Sequence, residues 1–587
     1  MLFAPKMGYL LSHDNGEGSE LFVSKLILGG QRFVVFAISS EGTGYLMLSQ
    51  ERMTRRRVLA CLLASTIVTR PSKAQTTKTV EPFTFDWLKS RMQERAKLPD
   101  APTAPLDNFL EDLNYDDYRN IYFRPPQSRW ADGVSPFQLQ AFHPGWLFRD
   151  PVEVYEVVDG QALPLVFDTD DFEYRNDLAE RVPKHAELPG VAGLKVNARL
   201  NTPTKFDELV TFLGASYFRA LGAGNSYGLS ARGLSVDTWL NGPEEFPRFT
   251  SFWIVRPTAE DAALEVYAAM DSASVTGAYR FTISPGADTV IEVDAELNFR
   301  RSVRQLGLAP LTSMFYFAEH SERGFDDFRP QVHDSDALQI IRGSGDVLLR
   351  PLNNPHSVSN SYFSGEDVVQ FGLLQRDRDY DAYQDAGAQY HNRPSVMIEP
   401  IGNWGAGSIR LVEIPAELEI EDNIVLFWIP DDAPQAGETR AYSYKMHWGA
   451  LPADATGELA YIHGTRTGVG GPSGVPLENP NLRKFVIDFE GGALGDMAPE
   501  TVVTPVVTTS TGKISGLGLH KIDHTARRWR LFFDVDGYDE RLIEITAHVA
   551  GEDAKLTEVW LYQWERDPAD LRSAEALGPV SPTDLGE

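Results

Sequence analysis

TVIEVDAELNF, residues 289–299, alternates along its length. Ile291, Val293, Ala295, Leu297 and Phe299 fall on one face, while Glu292, Asp294, Glu296 and Asn298 fall on the other. A period of two marks a half-buried antiparallel strand, because successive side chains leave opposite faces of the pleat. The surrounding text repeats the theme. YRFTISPG (279–286), RWRLFFDVDG (528–537) and RLIEITAHV (541–549) are short strand-like runs, broken by Pro-Gly, Asp-Gly and Asn-Gly pairs. One stretch, Asp86 to Leu98, reads as a helix ending before Pro99, and no long helix-period segment follows. The chain is therefore predicted to be all-β, built from stacked sheets, and a doubly wound α/β fold is excluded.

The chain has 587 residues, 42% of them hydrophobic, enough for two or more domains with real cores. Between Leu451 and Pro480 the text turns to GTRTGVGGPSGVPLENP, which reads as a linker spanning 451–480. The part before it, 80–450, is too long for one simple sandwich and suggests a large, elaborated one. Residues 481–587 have the size and texture of an immunoglobulin-like sandwich. With 54 basic and 83 acidic residues the net charge is −29, which lacks the basic footprint for nucleic acid or anionic membrane.

From Met53 the chain reads MTRRRVLACLLASTIVTRPSKAQ. Paired arginines (Arg55, Arg56), an apolar run from Val58 to Val68 and Ser72-Lys73-Ala74 form a signal peptide in the twin-arginine style, residues 53–74. The apolar run is too short to span a bilayer, so no stable membrane insertion is expected. The single cysteine, Cys61, lies inside it, and the exported chain would need no disulfide. Residues 1–52 would bury an export signal inside the chain. They read as an over-extended N-terminus, although Phe33 to Ile38 is strand-like.

Few motifs carry chemistry. LGAGNSYG (221–228) is spaced G-x-G-x-x-x-G and has no βαβ unit around it, so packing and turn glycines account for it better than a dinucleotide site. The histidines are scattered, with no H-E-x-x-H and no cysteine ligands, so neither a metal nor another cofactor is expected. No G-x-S-x-G elbow is present. Carboxylates are abundant, and two in one cleft suffice for glycoside hydrolysis. ELEIEDNIVLFWIP (417–430) sets four acids against an apolar run. Asp422-Asn423 is ordinary turn chemistry; alternatively, Asp422 sits at the edge of an apolar wall that raises its proton affinity.

Longer blocks resemble one family. LGASYFRALGAGNSYGLSARGLSVDT (213–238), EEFPRFTSFWIVRP (244–257), LGLAPLTSMF (306–315), RPQVHDS (329–335), RPLNNP (350–355) and FGLLQRDRDY (371–380) resemble the periplasmic glucan biosynthesis proteins of the MdoG/OpgG and OpgD type. The twin-arginine signal is closer to the OpgD branch. The resemblance implies a galactose-mutarotase-like N-terminal sandwich joined to an immunoglobulin-like one. It also implies a periplasmic role in making osmoregulated glucans with a β-1,2-linked backbone. The activity implied is an endo-acting, anomer-inverting β-1,2-glucanase or a transglycosylase. A non-catalytic glucan-binding protein that works with the inner-membrane glucosyltransferase is the alternative. By motif, the general acid falls on Asp422 and the base on Asp334, with Tyr390, Arg393, Arg350, Asn354 and His333 as substrate contacts. One loop, DAYQDAGAQYHNRPS (381–395), departs from the acidic text of relatives: Ala386, Gly387, Ala388 and Gln389 replace acids before Tyr390. That change bears on hydrolysis versus transfer to sugar.

Overall fold

Strand Thr289–Phe299 lies antiparallel between Val275–Ser284 and Thr439–Gly449 in a fifteen-stranded sheet. Ile291, Val293 and Leu297 are fully buried, each worth about 1.5–3 kcal/mol, while Glu292, Asp294 and Glu296 remain partly exposed. Asn298 departs from the alternation: it is buried, and its Oδ1 accepts a hydrogen bond from Thr439 Oγ1 at 2.8 Å. The computed structural model describes residues 21–28, 31–38 and 81–566. Within the last span residues 101–105, 107, 132, 322–325, 366, 455–456, 473, 476–478, 480, 524–525 and 539 are left out. The expected signal peptide, 53–74, lies outside the described residues, as does Cys61. Of 1–52, only the hairpin Leu21–Leu28/Gln31–Ile38 is described, and it belongs to a separate unit ending at Glu81.

The predicted helix is Phe85–Ala96, begun by Thr84, whose side chain accepts the Trp87 N–H, and seated by Leu88 and Met92. A second sheet of ten strands runs in the order Ser359–Ser364, Gly407–Glu413, Ile424–Pro430, Leu306–Ser313, Ser230–Arg232, Tyr217–Ala220, Lys205–Leu213, Gly193–Thr202, Phe137–Phe142, with Ser235–Val236 pairing off this path. The two sheets share one apolar core. Phe212 and Phe218 of the second meet Phe252 and Phe281 of the first, with ring centroids 5.2–5.5 Å apart. The all-β sandwich reading holds.

A second core gathers Phe485, Ile487, Trp529, Phe533, Ile545 and Trp560. It lies within one continuous unit, Pro82–Glu587, because Val347–Pro351 pairs in parallel with Val559–Glu565 (Leu349↔Trp560) and carries the large sheet into the C-terminal strands. The stretch expected as linker holds strand Tyr461–Val469, antiparallel to Leu482–Glu490. Its glycines read as loop signals, yet Gly464 answers to packing: a Cβ there would lie 2.7 Å from Glu319 Oε1.

Candidate active site

One edge of the ten-stranded sheet collects the candidate acids. Leu306–Ser313 ends where Ile424–Pro430 and Ser230–Arg232 begin, with Ser313 opposite Ile424 and Thr312 opposite Ser230. The residues flanking these ends, Asp422, Met314 and Gly228, therefore come together. Asn423 pins the first of them. Its Oδ1 accepts the Phe315 N–H at 2.8 Å, and its Nδ2 donates to the carbonyls of Phe315 (2.9 Å) and Ile414 (3.1 Å). A buried amide with its bonds satisfied fixes the backbone beside it.

The four acids of ELEIED divide their tasks. Glu421 accepts the Glu417 N–H at 2.8 Å, and Glu417 is exposed. Glu419 pairs with Arg329 at 2.8 Å and accepts the Tyr390 hydroxyl. Asp422 is half-buried and accepts no hydrogen bond from any described residue. Its charge is nonetheless felt by Arg393 and Tyr217.

Asp334 follows strand Val332–His333, which pairs with Phe315–Phe317. Its N–H donates to the Met314 carbonyl at 2.8 Å, and its side chain is fully buried in an ion pair with Arg393. The guanidinium stands 4.0 Å over the Tyr390 ring, a cation–π contact. The aliphatic stem lies against Gly228, where a Cβ would come 2.9 Å from Arg393 Cβ. Burial pulls the guanidinium down to about 9, with Arg219 adding to the pull; Glu419 and Asp422 oppose it. The direct pairing with Asp334 sustains the charge. Asp334 pairs directly with this cation, whereas Asp422 acts on it only through its charge.

Gln375 holds the two chain segments that carry Asp334 and Arg393. Its Nε2 donates to the carbonyls of His333 and Tyr390, both at 2.9 Å, and its N–H donates to Ser395 Oγ at 3.0 Å. His333 Nδ1 lies 2.7 Å from Gln375 Oε1, and burial lowers the imidazole to about 4. The 381–395 loop joins this cluster through Asp385. Asp385 accepts the N–H groups of Gly387 (2.9 Å) and Ala388 (2.7 Å) and pairs with Arg329 at 2.8 Å. Arg329 therefore ties the covering loop to the acid loop. The LGAGNSYG turn supports the same loop: Ser226 N–H donates to the Asn392 carbonyl at 2.9 Å. Its glycines serve packing and turning, since a Cβ on Gly222 would meet the Ala287 carbonyl at 2.3 Å and Gly224 has φ +78°.

Of the residues expected to touch substrate, three stand behind the site. His333 is fully buried in the core. Arg350, 2% exposed, pairs with Glu413 at 2.9 Å, and burial pushes the Glu413 carboxyl up while Arg350 opposes this. Asn354 bridges backbone: its Nδ2 donates to Tyr316 (3.2 Å) and Ala416 (3.0 Å), and its Oδ1 accepts the Ala416 N–H at 2.9 Å. Each is a polar group whose hydrogen bonds are supplied from within the fold. Tyr390 and Arg393 do belong to the cluster. Sequence reading gave no role to Glu419, Arg329 or Gln375 and read Asn423 and Gly228 only as turn or packing residues. Glu419, Arg329 and Gln375 all lay in the quoted blocks, but nothing local marked them as partners. Among the described residues no group of three or more His, Cys, Asp or Glu is placed to hold a metal ion.

Comparison with known proteins gives a consistent picture. The family model described as periplasmic glucan biosynthesis protein, MdoG, matches residues 83–564. Glucans biosynthesis protein G of Cereibacter sphaeroides is 50% identical, covering 87% of this chain and 98% of that one. Glucans biosynthesis protein G of Bradyrhizobium diazoefficiens is 39% identical, over 87% and 100%. Glucans biosynthesis protein D of Xanthomonas oryzae pv. oryzae is 40% identical, over 87% and 98%. Relatives of both names match, and identity does not favour the D branch.

Proposed function

The chain belongs to the MdoG family of periplasmic glucan biosynthesis proteins, and on that premise we propose that it cleaves or rearranges β-1,2-glucan in the periplasm, with Asp422 as general acid and Asp334 as general base. The observation that carries this reading is a pair of carboxylates in unlike settings: Asp334 is fully buried in an ion pair with Arg393, and Asp422 is half-buried with no described hydrogen-bond donor. Inverting glycoside hydrolysis requires one carboxyl to protonate the leaving oxygen and another to activate water on the opposite face. Asp422 suits the first role, being half-buried beside an apolar strand with no described hydrogen-bond donor on its carboxylate. Asp334 suits the second only through a relay, because its side chain is fully buried in its pair with Arg393.

That loop bears on the outcome. With Ala386, Gly387, Ala388 and Gln389 before Tyr390, it offers few side chains to orient a water chain. A sugar hydroxyl positioned by binding then competes as the nucleophile. Export by the twin-arginine route through residues 53–74 completes the proposal. The test incubates the purified chain with linear β-1,2-glucan and resolves products by mass. Shorter linear chains indicate hydrolysis; rings or elongated chains, which lack the added water, indicate transfer. Asp422→Asn should lower turnover about 10²–10⁴-fold while glucan binding persists. Near-normal turnover in that variant would remove Asp422 from the mechanism. Binding without any product from the wild type would favour a non-catalytic glucan-binding protein acting with a membrane glucosyltransferase.

A further inference from the structure

Phe328 is the most exposed aromatic side chain among the described residues, at 81%. Its neighbours hold it there. The Arg329 N–H donates to Asp327 Oδ1 at 2.9 Å, its Nε to the same oxygen at 3.0 Å, and its Nη2 to Asp327 Oδ2 at 2.7 Å. The two residues flanking the ring are thus locked to each other, and Arg329 is anchored to both site loops through Asp385 and Glu419, each at 2.8 Å. Its guanidinium carbon lies 5.9 Å from the Phe328 ring centroid. Leu418 (57% exposed) and Ile420 (63%), which flank Glu419 in the chain, also face water. Three exposed apolar side chains are therefore sequence neighbours of the two partners in the Arg329–Glu419 pair, on the loop that carries Asp422 and on the segment tied to it. An apolar ring braced in water by a network of ion pairs is an arrangement that calls for an occupant.

Resting on the glucan-processing reading above, we propose that Phe328 is a stacking platform for a glucose residue of the bound chain outside the pair at the reacting bond. A β-glucopyranose ring carries its hydroxyls at the rim and presents C–H groups on its faces, which pack on an aromatic face while the rim stays hydrated. The patch suits a sugar chain better than a protein. A stable protein interface buries about 800 Å² per partner, far more than three side chains supply. A second copy would also bring another net charge of −29, whereas an unsubstituted glucan is neutral. The platform favours chains long enough to reach it.

The experiment compares the full chain with Phe328→Ala and Phe328→Trp on long and short linear β-1,2-glucans, reading Kd, KM and kcat. Phe328→Ala should raise Kd and KM on long chains about five- to tenfold, with a penalty that shrinks as the chain is shortened. Phe328→Trp should restore long-chain binding. Equal binding of long chains by Phe328→Ala and wild type overturns the inference, as does a penalty independent of chain length. Self-association that Phe328→Ala abolishes with glucan affinity unchanged also overturns it, making the patch a contact between copies. A wild type that binds no β-1,2-glucan overturns both this inference and the functional reading beneath it.

Discussion

Replacing Arg393 by Met removes a buried cation while keeping much of the volume of its stem. The Arg393 side chain is 7% exposed and that of Asp334 is wholly buried, so water cannot take over the lost pairing. Breaking such a pair from one side typically costs about 3–5 kcal/mol, because the remaining charge stays in the interior. Two features keep the estimate in the upper part of that range. The guanidinium also sits over the Tyr390 ring, and the charges of Glu419 and Asp422 favour a cation at that position. A loss of about 4 kcal/mol is a change of about 10³ in the folding equilibrium. Urea unfolding followed by tryptophan fluorescence would measure it in Arg393→Met, Asp334→Asn and the double variant. Neutralising Asp334 relieves the charge that Arg393→Met strands, so the double variant should regain about half of the loss. A single variant within about 1 kcal/mol of wild type would refute the reasoning, and so would a double-variant cost equal to the sum of the singles.

Gly228→Ala should act on the same pair from beneath. The new Cβ would meet Arg393 Cβ at 2.9 Å and its Cγ and Cδ at 3.4 Å, so the stem must shift by a few tenths of an ångström. We expect a stability cost of about 1–3 kcal/mol and a fall in kcat larger than any rise in KM; unchanged kcat would show that Arg393 tolerates the displacement. Glu558 gives a pH-dependent prediction. Burial pushes its carboxyl from 4.5 up to about 7, against the Ile462 N–H, Arg376 and Gln339. A raised folded-state value contributes stability that is fully present below the unfolded value and is lost as pH rises through about 7. Thermal unfolding of wild type should therefore weaken between pH 5 and 8, and Glu558→Gln should flatten that decline; identical pH slopes would exclude Glu558 as their source.

The alternation of TVIEVDAELNF determined a strand and its buried face, because side-chain direction along a pleat is a local property of the backbone. The helix from about Asp86 and the apolar run after Asp422 were legible for the same reason. Locality also explains the miss at Tyr461–Val469. Gly464 and Gly468 look like loop residues until Glu319, far away in sequence, is seen to occupy the space a Cβ would take beside Gly464. At the site, the sequence determined which acids were available, and its resemblance to a family pointed to Asp422 and Asp334. Only the tertiary structure decided what each charge meets. Arg350 and Arg393 are both arginines within quoted motifs, yet one is spent on Glu413 behind the site and the other joins Asp334 within it. The structure likewise decided that Glu419 anchors a loop while Asp422, three residues on, stays half-buried with no hydrogen-bond donor among the described residues. The physical reason is that a charge in a dry interior needs a partner within a few ångströms, and that partner is chosen by strand order and loop packing.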